Sequence, residues 1–115
     1  MKLAGYHIHI YFTLEQTAVA ESIRELMLRE LSVIEGAGPV RNRPVGPHPL
    51  PMFEAWFQPD AIAEVLPWIL KNRQGLAVLI HPITGDDYQD HAEHAVWIGQ
   101  ALPLNLEFLK EITRR

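Results

Sequence analysis

Apolar and polar positions alternate with period two across Tyr6-His7-Ile8-His9-Ile10-Tyr11-Phe12, a run rich in β-branched and aromatic residues that predicts a strand. The period then lengthens. Val19, Ile23, Leu26 and Met27 recur at helical spacing, Glu25 and Arg29 form an outward i, i+4 pair, and Thr13 with Gln16 reads as a capping box. A helix to about Ser32 follows. Val33 to Gly36 begins a second strand, after which Gly36, Gly38, Pro39, Pro44, Gly46, Pro47, Pro49 and Pro51 punctuate the chain. That stretch predicts an edge strand and a long loop.

Met52 to Phe57 predicts a third strand, and Gln58-Pro59-Asp60 opens a second helix whose apolar face is Ile62, Val65, Leu66, Ile69 and Leu70. Gly75 ends it. Pro67 removes a backbone hydrogen bond and clashes with a carbonyl at about 3 kcal/mol, which predicts a kink or a late start. Leu76 to Ile80 is a fourth strand ending at His81-Pro82, residues 95–99 a fifth, and residues 105–115 a short terminal helix. The order defines an α+β, ferredoxin-like (βαββαβ) antiparallel sheet with an extra C-terminal strand, and both main helices on one face. The other face is expected to stay open and to favour a homodimer through a two-fold axis.

Composition narrows the chemistry. The 115 residues fit a single domain, 1–115. There is no cysteine, so disulfides and thiolate ligands are excluded and any metal site must use imidazole, carboxylate or water. A net charge of -4 with scattered Lys and Arg lacks the basic footprint of a nucleic-acid binder. Met1-Lys2-Leu3-Ala4-Gly5-Tyr6-His7 has no apolar h-region, and no run of apolar residues is long enough for a membrane span, so a soluble cytoplasmic protein is expected.

The alternation assigns faces. If Ile8, Ile10 and Phe12 point at the helices, His7, His9 and Tyr11 lie on the open face. Phe53, Ala55 and Phe57 then put Met52, Glu54 and Trp56 on that same face. His81, at the end of the fourth strand, projects near His9, and His48 is held between Pro47 and Pro49, which lowers the entropy lost on coordination. Imidazoles suit divalent iron, zinc, copper or nickel, and two histidines with one carboxylate are the usual non-haem iron set. His9, His48 and His81 with Glu54 satisfy that set or a three-histidine variant. A lone strand histidine is ordinarily a hydrogen-bonded or solvent-facing residue, Glu54 could pair with an Arg, and Tyr11, Trp56 and Trp97 fit core or interface aromatics. Asp90, His91 and His94 fit a solvated turn or helix start. Convergence on one face is what favours the metal.

Five segments taken together resemble the DOPA 4,5-dioxygenase family: Tyr6 to Phe12, Val45-Gly46-Pro47-His48-Pro49, Met52-Phe53-Glu54-Ala55-Trp56, Val78-Leu79-Ile80-His81-Pro82-Ile83-Thr84-Gly85, and Asp90-His91 followed by Ala95-Val96-Trp97-Ile98-Gly99. The resemblance implies the ferredoxin-like fold, a dimer built with the extra strand, and extradiol cleavage of a catechol such as DOPA with iron(II) and O2. Zinc or nickel could replace iron in a purified sample. It carries over His9, His48, His81, Glu54 and His91; His7 and His94 fall at variable positions. His7 or His91 is the expected base for the second catechol proton, because imidazole titrates near neutral pH. The rival expectation is a small dimeric protein that holds a metal or aromatic ligand without turnover, its metal closed to further ligands.

Overall fold

The computed structural model describes residues 2–114. Strands β1 (Gly5–Tyr11), β2 (Ile34–Ala37), β3 (Met52–Phe57), β4 (Val78–Ile83) and β5 (Val96–Ile98) form one antiparallel sheet in the order β2-β3-β1-β4-β5. This is the expected ferredoxin-like plan with a fifth strand beside the fourth. Two long helices, α1 (Thr17–Glu30) and α2 (Ile62–Asn72), pack on one face. Ala20, Ile23 and Met27 of α1 and Val65 and Ile69 of α2 are buried against Ile8, Ile10, Phe53, Ala55, Phe57, Val78 and Ile80. Each fully buried large aliphatic or aromatic side chain contributes about 1.5–3 kcal/mol, so this layer is the main source of stability.

Local chemistry explains the boundaries. The Thr13–Gln16 capping box is present but closes a single 3-10 turn at Leu14–Gln16, and α1 begins only at Thr17. Likewise Pro59 starts a 3-10 turn and α2 begins at Ile62. Pro67 lies within α2 without interrupting it. Both Pro67 and Ala63, whose carbonyl loses its helical donor, are exposed to solvent. Strand β4 runs on through His81 and Pro82 to Ile83, further than the hydrophobic run suggested. Proline is tolerated there because β5 pairs only with Val78 to Ile80, leaving one side of Pro82 without a ladder.

The second sheet face is not open, as the strand pattern had suggested. Tyr11, Met52 and Leu79 form a second buried cluster, covered by Val45 and Leu50 of the proline-rich loop and by Trp97, Leu102 and Leu104. Helix α3 (Asp87–Ala92) and the terminal helix α4 (Leu106–Arg114) pack together on this side. The amide of Asn105 donates to the Pro47 carbonyl at 2.8 Å, and Phe108 lies over Gly46, whose φ is +54°. The C-terminal segment therefore clamps the loop that carries His48.

Strand β1 is central, and its entry is tight: a Cβ on Gly5 would lie 2.8 Å from the Phe57 carbonyl oxygen. Gly5→Ala is expected to cost about 1–3 kcal/mol, as overpacking against backbone does. Urea denaturation would show this as a lower midpoint; an unchanged midpoint would contradict the close approach.

Candidate metal centre

Register, rather than sequence proximity, assembles the site. In β1, His7 sits opposite Trp56 of β3 and His81 of β4, and His9 sits opposite Glu54 and Leu79. Alternation sends Ile8 and Ile10 to the helices and His7 and His9 to the other face, as expected. His48 joins from the loop, where its amide closes a turn onto the Val45 carbonyl at 3.0 Å. His91 comes from α3. That helix has an N-cap at Asp86, whose carboxylate accepts from the Gln89 amide at 3.0 Å.

Asp90, 1% exposed, fixes α3 to the end of β4 by accepting from the Thr84 amide and hydroxyl. A helix here was expected only as an alternative to a solvated turn, and the role of Asp90 was not anticipated. The signal was there, since Asp86 followed three residues later by Gln89 is a helix-start pattern. His94 is exposed beyond α3 and belongs to no ligand group among the described residues.

Five imidazoles thus share one bowl. His9, His48, His81 and His91 are buried and His7 stands half-buried at its rim. Ring centroids are 4.3 Å apart for His9 and His48, 5.1 Å for His9 and His81, and 4.0 Å for His81 and His91. His7 meets His9 and His81 edge-on at 5.8 and 5.2 Å. Two overlapping triads, His7-His9-His81 and His9-His48-His91, bring one ring nitrogen from each member within 4.8 Å of the others. Glu54 is in neither triad; its Oε2 lies 3.9 Å from Nδ1 of His9.

The hydrogen bonds show which nitrogens are free. Nδ1 of His81 donates to the Pro82 carbonyl at 2.9 Å, and Nδ1 of His91 donates to the Asp87 carbonyl at 2.7 Å. A carbonyl only accepts, so in the neutral rings Nε2 keeps its lone pair. Nδ1 of His48 is tied to the Tyr11 hydroxyl at 2.8 Å. Backbone and hydroxyl partners on Nδ1 with Nε2 facing inward are the usual support for metal-ligating histidines. The Nε2 atoms of His9 and His81 are 3.1 Å apart. Neighbouring ligands on an ion with metal–nitrogen bonds of 2.0–2.1 Å would be separated by roughly 2.9–3.4 Å, so the donor set fits a divalent cation.

Electrostatics point the same way. Burial, reinforced by His48, His81 and the other rings, holds His9 well below the ordinary imidazole value. Burial and the nearby His91 lower His48 to about 4 and His81 to about 3. His7 is also lowered, chiefly by burial, against the opposing pull of Glu54. Neutral imidazole is the form that binds metal. Burial raises the Tyr11 hydroxyl, so it remains a phenol. Beside His91 a recess of about 280 Å³ is walled by Trp97, Leu102, Pro103, Leu104 and Leu106.

An antiparallel α+β sheet with helices on one face and a buried histidine bowl on the other defines a small protein whose histidines could hold a metal ion. The profile of the Dopa 4,5-dioxygenase family matches residues 6–108, and the chain belongs to that family. It is 32% identical to the DOPA 4,5-dioxygenase of Amanita muscaria over 91% of its own length and 49% of the relative's. It is also 32% identical to an uncharacterised 21.2 kDa protein of Botryotinia fuckeliana, over 96% of this chain and 66% of the relative. The chain thus spans about half to two thirds of these curated relatives. A crystal structure of a candidate dioxygenase from Nostoc punctiforme superimposes with a TM-score of 0.90 at 40% identity, covering 96% of this chain and 94% of that one. Among the described residues no helix is long and apolar enough to cross a membrane.

The depressed histidines predict a pH dependence for the metal-free protein. Unfolded histidines take up protons near pH 6.5, whereas folded His48, His81 and His9 do not until far lower pH. Their contribution is therefore complete above pH 6.5 and lost as pH falls from there towards about 4 and 3. The urea midpoint should drop between pH 7.5 and 5, above most carboxylate titration; a flat profile over that interval would contradict the buried neutral cluster.

Proposed function

We propose that this chain, as a single domain, opens the ring of a catechol such as DOPA in an extradiol reaction with O2. The resident metal of this reading is non-haem iron(II), held by His9, which the two triads share, with His48 and His81, one from each triad, and with support from His91. The observation that carries it is that His48, His81 and His91 are pinned through Nδ1 around His9, whose Nε2 lies 3.1 Å from that of His81. Family membership supplies the reaction class, and zinc or nickel would satisfy the same imidazole donors. Bound there, iron(II) would supply a centre at which both catechol oxygens and O2 meet, removing the spin barrier to their direct combination.

The chain's own groups then have distinct tasks. The open recess beside His91, with the Trp97 ring as one wall, can seat an aromatic ring. In this reading His7, half-buried at the rim with its ring 5.2 Å from that of His81, accepts a catechol proton at a ring nitrogen. The Tyr11 hydroxyl holds His48 at the far side. Burial of four of the five rings limits their rotamers before substrate arrives, which lowers the ordering cost of binding.

Anaerobic loading with iron(II), followed by catechol and air, should give stoichiometric iron and a yellow muconic semialdehyde. His9→Ala should lose both. His7→Ala should keep the iron and slow turnover by about 10²–10⁴-fold, the usual range for a proton-transfer group. Stoichiometric iron and full activity in His9→Ala would overturn the ligand set, and absence of product across several catechols would favour a metal-binding protein without turnover.

A further inference from the structure

The bowl contains one imbalance. Among the described residues, Nδ1 of His9 is the one buried side-chain nitrogen or oxygen without a hydrogen-bond partner. His48, His81 and His91 all have Nδ1 satisfied. His9 is 3% exposed in the central strand, where an unmet polar group costs about 1–3 kcal/mol. The carboxylate on the same side is Glu54, directly opposite in register, with Oε2 at 3.9 Å. That is too far for a hydrogen bond and close enough for a small side-chain adjustment to make one.

The proton inventory gives this gap a purpose. Nε2 of His81 carries a lone pair, because its Nδ1 is engaged with the Pro82 carbonyl. The 3.1 Å contact with Nε2 of His9 is therefore satisfied without metal by a proton on the His9 nitrogen. A cation between the two rings requires both lone pairs. Neutral His9 must then carry its proton on Nδ1, which faces Glu54.

Glu54 can move to meet it. Its side chain is 30% exposed, and Gly38 beside it leaves room: a Cβ there would stand 3.4 Å from Cγ of Glu54. The alternative task of Glu54, a structural ion pair with Lys or Arg, has no counterpart among the salt bridges of the described residues, where its partner is His9.

Resting on the metal-centre reading above, we propose that Glu54 is a positioning residue: it accepts the Nδ1 proton of His9 when the ring turns its Nε2 lone pair to the metal, and it does not itself ligate. A carboxylate in this place orients the ring and raises its basicity, and losing such a partner typically weakens metal binding about 10–100-fold.

Competition titration of the full chain with cobalt(II) and zinc(II) against a chelator tests this, using the wild type, Glu54→Gln, Glu54→Asp and His9→Ala. Cobalt d–d absorption reports the ligand set, and the melting temperature of the metal-free proteins reports folding. Glu54→Gln is expected to bind about 10–100-fold more weakly with an unchanged cobalt spectrum and an unchanged metal-free melting temperature, and Glu54→Asp to recover part of the loss. Wild-type affinity in Glu54→Gln would overturn the positioning role while leaving the metal centre standing. A changed cobalt spectrum in Glu54→Gln would overturn it differently, by showing that the carboxylate is a ligand. Failure of the wild type to bind either ion, or equal binding by His9→Ala, would overturn the metal-centre reading and the inference with it.

Discussion

Everything in this molecule depends on β1 being laddered on both sides. Hydrogen-bonded between β3 and β4, the strand cannot slip by one residue without exchanging Ile8 and Ile10 with His7 and His9. Such a slip would put two imidazoles into the apolar layer beneath α1 and α2 and turn two isoleucines out of it. The cost on the helical side, about 1.5–3 kcal/mol for each large apolar side chain, is therefore what fixes the histidines on the other side. Core packing and site geometry are one constraint read from two faces.

The second face is built by a different logic. Its own apolar contacts are few, Tyr11, Met52 and Leu79 with a covering of loop and C-terminal residues. Specific polar ties do much of the positioning: Asp90 binds α3 to Thr84, Asn105 binds the C-terminal segment to Pro47, and Tyr11 binds His48. Each tie ends at or beside a histidine of the bowl. Burial then keeps His9, His48 and His81 uncharged, and backbone carbonyls settle which nitrogen of His81 and His91 is engaged.

Much of this was legible in the residues, and the failures have physical causes. Strict alternation in residues 6–12 and in Met52–Phe57 was enough to send His7, His9 and Glu54 to one face, and the order of strands and helices along the chain gave the sheet plan. The family resemblance drawn from those motifs agrees with the match over residues 6–108. The covering of that face was missed because it comes from short segments, Val45, Leu50, Leu102 and Leu104, with no periodicity to read. α3 was left undecided between a turn and a helix start because six residues, mostly polar, carry almost no helical period, although its Asp86 cap was visible. Pro67 did not break α2, although the α-helix proper begins only at Ile62.

A metal held in the bowl requires buried imidazoles from the sheet, the loop and α3 to converge on one cation. X-ray absorption at the metal edge, on protein purified without added metal or chelator and handled anaerobically, addresses it most directly. The account predicts one equivalent of a divalent metal, with backscattering from three or more imidazole rings at about 2.0–2.1 Å. A protein free of metal after such handling, or a metal surrounded by water and carboxylate oxygens with no imidazole signature, would contradict it.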